Sequence, residues 1–231
     1  MSGGWRFAAA ACGLGVVAIG IWITVTIAES RVRQPTGHVS VHRLRVRNPT
    51  AWLIAVYFAC INFLFYGLLS WCVPMYREAG LSTGVAGILL ATFTAMFMMA
   101  SPFFGWVSKA RDHCGWLAVC ATLGVVGLAA IAFAPSMLPF AAVACCAFGL
   151  GGAFTLGMTL PLDNTGSVDE ANVWNAFVLT VAYLAAACGP LILGHVRDVT
   201  SDFRLSFVPL AAVAVVMLSM TPFLRPRREQ A

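Results

Sequence analysis

Charged side chains are scarce in this sequence. Only 10% of its 231 residues are Asp, Glu, Lys or Arg, while 60% are hydrophobic, and ordinary globular domains carry about 25% charged residues. This scarcity excludes a soluble domain, and the net charge of +5 is no argument for binding nucleic acid. The hydrophobic residues form runs of about 20, the length that a helix needs to cross a bilayer. The sequence therefore predicts an integral membrane protein whose first partner is the lipid bilayer.

Residues for enzymatic, metal or cofactor chemistry are missing or badly placed. The one lysine, Lys109, lies in a loop, which excludes a retinal protein because the Schiff base needs a lysine in the last span. No H-E-x-x-H, no C-x-x-C and no intramembrane Asp pair occurs, so no zinc or redox site is indicated. Most of the eight cysteines lie in apolar runs and are predicted to be packing residues. We expect no catalytic residues, no metal and no cofactor.

Charges, prolines and glycines divide the chain into seven apolar segments. A backbone in lipid must satisfy its own hydrogen bonds, so segments of this length predict helices, whereas barrel strands are about ten residues long and alternate in polarity. The predicted fold class is all-α, with seven transmembrane helices at 7–28, 51–76, 84–107, 115–134, 139–162, 172–196 and 205–224.

The basic residues predict the orientation of these helices. If 29–50, with its five arginines, is cytoplasmic, ten basic residues lie inside and four outside, as the positive-inside rule favours. We therefore expect a plasma-membrane protein with its N-terminus outside and its C-terminus in the cytoplasm. Thr26–Ala28 loosely resembles a signal-peptide cleavage site, but cleavage there would reverse the charge ratio. The apolar run before it also exceeds the roughly 7–15 residues of a signal peptide's apolar region.

The third and sixth segments share a pattern in opposite orientations. Pro102 precedes Gly105 in one and Pro190 precedes Gly194 in the other, and each segment then closes with Arg-Asp. Secondary transporters are often built from inverted repeats of three helices. Segments 2–4 and 5–7 are therefore the predicted repeats. Because proline removes a helical hydrogen bond, these prolines and glycines are candidate hinge or gating positions.

The whole layout resembles the C-terminal half of a Major Facilitator Superfamily transporter. Gly4-Trp5-Arg6 is similar to the Gly-Trp-Arg that precedes the family's sixth helix. The stretch 105–112 resembles the family's loop signature, but Lys109 replaces the expected Asp, which leaves a degenerate motif with Arg111 and Asp112. The resemblance implies three parts: the last helix of an N-terminal half, a basic cytoplasmic linker and a six-helix C-terminal half, at 1–28, 29–50 and 51–231.

The stretch 160–207 resembles the cyanate and 2-nitroimidazole permease group more particularly. It contains Ala182-Tyr183, then Gly-Pro-Leu-Ile-Leu-Gly at 189–194 and Asp-Val-Thr at 198–200. The resemblance implies transport of a small solute by alternating access. It also implies a chain that begins five helices late, so that a separate N-terminal half is an expected partner. The alternative is a truncated, non-transporting remnant, or a subunit that packs with another membrane protein.

Polar residues inside the spans are candidates to line the pathway, because such residues usually face a cavity or a neighbouring helix. Asn62 and Tyr66 share a helix face, as do Asn175 and Tyr183 two turns apart. The predicted substrate-pathway residues are Tyr57, Asn62, Tyr66, Asn175 and Tyr183. Hydrogen bonding between helices accounts for the two asparagines equally well. Since no charged residue lies mid-span, we expect a small neutral or weakly charged solute.

Overall fold

The computed structural model describes residues 13–15, 17–22, 24, 48–108 and 113–224. The chain divides into two units, Met1–Val41 and His42–Ala231. In the first unit, the described residues between 13 and 24 are helical, inside the predicted span 7–28. In the second unit, the described residues form helices and short connections without a strand.

Five helices of the second unit are long and apolar enough to cross a membrane. They are α1 (Pro49–Glu78), α2 (Thr83–Val107), α3 (His113–Phe133), α4 (Pro139–Gly157, continued after a turn by α5, Leu160–Asp163) and α6 (Val168–Thr200). The last apolar segment is broken into α7 (Phe203–Ser206), α8 (Val208–Met220) and a 3-10 turn, Thr221–Phe223. All six predicted segments of this unit are confirmed as helical, with ends within four residues of the prediction, and the first five are long enough to span a membrane.

Local sequence sets the helix ends. The Asn48 side chain accepts a hydrogen bond of 3.0 Å from the Thr50 amide, with proline at the first helical position of α1, the arrangement that caps free N–H groups. Ser82 and Ser167 cap α2 and α6 in the same way. α1 stops before Gly80, whose φ of +95° lies in the left-handed region that glycine tolerates best.

Two parallel helix pairs form the core of the unit. α1 packs most extensively against α6, and α2 packs against α4. In an inverted three-helix repeat, α1, α2 and α3 correspond to α4, α6 and α8. This correspondence turns the α1–α6 pair into the α4–α2 pair, and the reverse. It also maps the contact between α3 and α4 onto the contact between α8 and α1, and both contacts occur. The two pairs therefore agree with the predicted inverted three-helix repeats, whereas the contact between α1 and α2 has no counterpart of similar extent between α4 and α6.

Glycine permits the close approach within each pair. A Cβ atom at Gly189 in α6 would lie 2.9 Å from the Phe63 carbonyl oxygen of α1. A Cβ atom at Gly151 in α4 would collide with the Phe97 carbonyl oxygen of α2. Membrane helices that pack this closely depend on small residues at the contact, because dispersion contacts and short polar contacts drive association in lipid.

Candidate functional site

One stripe of α1 is exposed at both ends of the helix and partly buried in its middle. Trp52 and Val56 at one end and Ser70, Pro74 and Arg77 at the other are exposed and share a helix face. Ala59 and Tyr66 between them are partly exposed, and residues 60–64 are buried. The stripe carries two hydroxyl groups, those of Tyr66 and Ser70, and its end carries the Arg77 guanidinium. Hydroxyl groups at this depth suit a polar cavity or a polar partner better than lipid.

The other two α1 candidates are buried inside the bundle. Asn62 is 5% exposed, and its amide nitrogen donates a 3.0 Å hydrogen bond to the Phe58 carbonyl one turn earlier. Tyr57 has no exposed surface, and its hydroxyl finds no hydrogen-bond partner among the described residues. Asn62 borders the stripe of α1, whereas Tyr57 lies about 180° around the helix from Tyr66. The structure therefore does not bring Tyr57 and Tyr66 to one surface.

The α6 candidates differ from each other in exposure. Asn175 is half-buried, and its side-chain oxygen is buried without a hydrogen-bond partner in the described part of the chain. Tyr183 is 54% exposed. A single narrow stripe of α6, which includes Val178, Ala182 and Gly189, is buried. Most of the α6 surface is therefore open to lipid or to another helix bundle.

The predicted hinge residues all lie inside helices. Pro102 and Gly105 are in α2, and Pro190 and Gly194 are in α6. A Cβ atom at Gly105 would meet no atom within 4 Å, whereas one at Gly194 would lie 3.0 Å from the Trp71 ring. The Trp71 indole N–H also donates a 3.0 Å hydrogen bond to the Pro190 carbonyl. The degenerate loop motif of Lys109, Arg111 and Asp112 lies outside the described residues.

A hydroxyl pair that was not predicted links α2 to α4. The Ser101 and Thr155 oxygens are 2.8 Å apart, and Thr155 also donates to the Gly151 carbonyl of its own helix. Ser101 follows Phe97 by one turn, and Thr155 follows Phe154 in the chain. The only sequence signal for the pair is a serine before proline and a threonine in a glycine-rich helix.

An aromatic cluster joins the two helix pairs beside these hydroxyls. Phe65 of α1 lies 4.6 Å from Phe97 of α2 between ring centroids, and Phe97 lies 5.8 Å from Phe154 of α4. Phe154 in turn lies 5.1 Å from Phe58 of α1. All these separations are within the range of favourable aromatic contacts. Tyr66 of the stripe of α1 packs edge-on against Phe65 at 5.3 Å.

A polar contact also lies at the end of the bundle where α3 begins. His113 Nδ1 is 2.8 Å from Asp163 Oδ2, and both side chains are largely shielded from solvent. The contact ties the start of α3 to the end of α5, fifty residues later in the chain.

An open cavity of about 520 Å³ lies at the opposite end, where α1 and α6 finish. Trp71, Pro74 and Arg77 of α1 line one side, and Arg197 of α6 lines the other. An Arg197 Nη2 atom is 3.6 Å from Glu78 Oε2, with both side chains close to half exposed. Pro74 and Arg77 belong to the stripe of α1, so the cavity lies at the end of this stripe, beyond Ser70 and Tyr66.

One short motif has a plain structural role. Gly80-Leu81-Ser82-Thr83-Gly84 has the G-x-S-x-G spacing of serine hydrolases, whose serine stands on a strand-to-helix turn. Here Ser82 follows a helix and accepts a hydrogen bond of 3.4 Å from the Val85 amide as the cap of α2. Ser82 is therefore a capping residue. The described residues also contain no group of His, Cys, Asp or Glu that could hold a metal ion.

Comparison with known proteins settles the family. A family model described as Major Facilitator Superfamily matches residues 74–231. The chain belongs to the Major Facilitator Superfamily. It is therefore a multi-pass membrane protein, and the family predicted from the sequence is confirmed.

The predicted group is confirmed as well. The chain is 28% identical to the cyanate transport protein CynX of Escherichia coli (strain K12), over 76% of this chain and 46% of the relative. It is 26% identical to the 2-nitroimidazole transporter of the same organism, over 90% of this chain and 52% of the relative. An uncharacterized transporter, YycB of Bacillus subtilis (strain 168), is 24% identical. This superfamily chain thus spans about half the length of the curated relatives it matches.

The fold agrees with a solved member of the superfamily. The crystal structure of the transporter FucP in its outward conformation superposes with a TM-score of 0.75, over 90% of this chain and 53% of that one. The two sequences are only 15% identical, so this likeness concerns the fold. It confirms an all-α superfamily fold of which the chain supplies about half.

Proposed function

We propose that this chain is the C-terminal half of a secondary transporter that moves a small solute across the plasma membrane by alternating access. The stripe of α1 carries the proposal. It presents the exposed Ser70 and the partly exposed Tyr66 on one face of an apolar helix, in a superfamily whose relatives here are named as transporters. A hydroxyl-lined face is useful to a membrane protein when a polar solute or a polar partner passes along it.

The solute we propose is small and carries at most one charge. Among the described residues, every charged side chain of the long helices lies near a helix end, so mid-membrane recognition depends on hydroxyl, amide and aromatic groups. The relatives are named for cyanate and for 2-nitroimidazole, which are both small and flat or linear. We therefore propose a solute of that size, recognised by the Tyr66 hydroxyl and the Ser101–Thr155 pair.

We further propose that a second six-helix bundle completes the transporter. α2 and α6 are the least buried of the long helices, with 22% and 28% of their apolar windows buried, against 56% for α1. Their open surfaces include polar groups such as Ser101 and Tyr183, which lipid solvates poorly. In this arrangement 1–28 is the last helix of the other half, 29–50 is the linker and 51–231 is the six-helix half.

Flux measurements test the function. The chain alone, reconstituted in liposomes, is expected to give no saturable flux of labelled 2-nitroimidazole. Together with the first five helices of the 2-nitroimidazole transporter, which complete the N-terminal half around 1–28, it is expected to give saturable flux. Tyr66→Phe should reduce this flux, whereas Tyr76→Phe, the same change at a fully buried tyrosine of α1, should not. Saturable flux from the chain alone that Asn62→Ala abolishes would contradict the proposal of two halves.

The proposed orientation has a separate test. The ratio of ten basic residues to four supports a cytoplasmic location for residue 40 and the C-terminus, and an external location for residue 80. A cysteine at residue 80 of a cysteine-free chain should react with an impermeant thiol reagent in intact cells, and a cysteine at residue 40 should react only after lysis. Labelling of residue 40 in intact cells would reverse the orientation, and the cavity of α1 and α6 would then face the cytoplasm.

A further inference from the structure

The turn between α3 and α4 is apolar and exposed. Residues 134–138 form the turn, and Phe133 and Met137 are each 80% exposed, with Leu138 at 69%. Among the described connections between helices, it is the only one that exposes large apolar side chains. No Asp, Glu, Lys or Arg occurs anywhere in 115–162. Because apolar surface is unfavourable in water, this turn calls for an apolar surrounding.

Helix length places the turn at one edge of the hydrocarbon core. α3 has 21 residues, which extend about 31 Å at 1.5 Å per residue, close to the thickness of about 30 Å of a bilayer core. The other end of α3 carries the contact of His113 with Asp163, and ionisable side chains favour the membrane surface over the hydrocarbon. The turn therefore lies one core thickness away, at the opposite interface.

Charged neighbours indicate the same level independently. Pro135 lines a small cavity of about 180 Å³ together with Glu78 and Asp202, which stand at the two other connections of this end of the bundle. Carboxylates are costly inside hydrocarbon, so the turn lies no deeper than the boundary between headgroups and acyl chains. Met137 and Leu138 do not line this cavity and are exposed beside it.

The second bundle proposed above does not account for this surface. We assign that bundle to the open surfaces of α2 and α6, whereas α3 packs against α4 and α8 and has no comparable contact with α2 or α6. Phenylalanine and leucine side chains at the level of the headgroups are instead typical of segments that lie in the membrane interface. A lipid surface therefore fits both the chemistry and the depth of the turn.

We infer that the α3–α4 turn inserts Met137 and Leu138 into the lipid interface and anchors this side of the bundle in the bilayer. Phe133 continues the apolar surface toward the core. The depth expected for the two side chains is about 5–10 Å into the boundary between headgroups and acyl chains. The proposed orientation makes this the outer leaflet, and only that assignment rests on the proposed function.

Fluorescence quenching measures the depth of the turn. A nitrobenzoxadiazole label is attached to Met137→Cys of the cysteine-free 231-residue chain in phosphatidylcholine nanodiscs. Thr83→Cys with the same label is the control, because Thr83 is exposed next to the charged α1–α2 connection at the same end. Phosphatidylcholines with a nitroxide near the headgroup or near the end of the acyl chain give the depth from the ratio of their quenching. The label at 137 should lie about 5–10 Å deep, and the label at 83 should lie in water, where iodide quenches it more strongly.

A charge at the tip should lift the turn out of the lipid. Leu138→Asp should move the label at 137 toward water, because a carboxylate is costly in the acyl region, whereas Leu138→Met should leave the label at its depth. Thr83→Asp, the same charge at the control site, should not move it either. An unchanged depth in the Leu138→Asp chain would show that lipid does not hold the turn, and it would overturn the inference.

Two other results would also overturn it. Equal depth of the labels at 137 and 83 would show that the turn stands in water. Protection of the label at 137 from both the nitroxide lipids and iodide would show that protein, such as a second copy of the chain, covers the turn. Leu138→Cys gives the same measurement if the Met137→Cys chain does not fold. None of these results bears on the flux experiment, which tests the proposed function separately.

Discussion

Adding one methyl group at Gly189 should push α6 away from α1. The Cβ atom of an alanine there would lie 2.9 Å from the Phe63 carbonyl oxygen, and ordinary contacts begin near 3.4 Å. The obstacle is a backbone atom of a helix, which cannot rotate aside, so the helices must separate by about 0.5 Å. The same movement lengthens the 3.0 Å bond from Trp71 to the Pro190 carbonyl toward the limit at which a hydrogen bond is lost.

The magnitude follows from three terms. Overpacking of a close contact costs about 1–3 kcal/mol, and a weakened indole bond costs about 1 kcal/mol. Alanine in place of glycine returns up to about 1 kcal/mol through helix propensity. The net loss for Gly189→Ala is about 1–3 kcal/mol. For a chain of this size each kcal/mol lowers Tm by about 2–4 °C, so a decrease of about 2–12 °C is expected.

Thermal unfolding of the purified chain in detergent measures the effect. Gly105→Ala is the matched control, because it is the same change inside a long helix where the new Cβ atom meets nothing within 4 Å. Its Tm should stay the same or rise slightly. If Gly189→Ala and Gly105→Ala melt together, the close approach of α6 to Phe63 is not a constraint, and the argument from the glycine contact fails.

Two further predictions concern polar contacts that join different helices. A double-mutant cycle with Ser101→Ala and Thr155→Val should give a coupling energy of about 0.6 kcal/mol, which is typical of hydrogen bonds between membrane helices. The control is Thr122→Val, which loses a hydrogen bond only within its own helix and should show no coupling to Ser101→Ala. A cycle with His113→Ala and Asp163→Ala should give about 0.2–1 kcal/mol, and the value should fall in high salt. Zero coupling in either cycle at low salt would show that the contact does not stabilise the fold.

The helices could be predicted because each apolar run is bounded by residues that stop or start a helix. Asn48-Pro49, Ser82 and Ser167 are such signals, and the structure uses all three as caps. The break in the last segment was not predicted, although Pro209 offers a signal because proline favours the first turn of a new helix. Hydropathy gives the length of a run but says little about a single turn within it.

The candidate site could be predicted only in part, because the surface that each side chain faces depends on how the helices pack. Tyr57 and Tyr66 are nine residues apart, which puts them on opposite sides of a helix, so the sequence itself argues against both lining one surface. By contrast, the contact of Ser101 with Thr155 depends on how closely Gly151 lets α4 approach α2. The pairs of His113 with Asp163 and of Arg197 with Glu78 join positions far apart in the chain, and no local pattern indicates them.

The contacts within each helix pair differ in kind from those between the pairs. Within a pair, glycine brings backbones together at Gly189 and Gly151, and directional bonds add to this at Trp71 and Ser101. Between the pairs, α1 meets α2 and α4 through phenylalanine rings at centroid distances of 4.6 to 5.8 Å. Ring contacts keep most of their energy when the rings slide or tilt, whereas a hydrogen bond weakens steeply with distance and angle. A displacement of the α1–α6 pair against the α2–α4 pair therefore costs less than a displacement within either one. The softest contact between the pairs, the cluster around Phe65 and Phe97, therefore lies beside the partly exposed Tyr66.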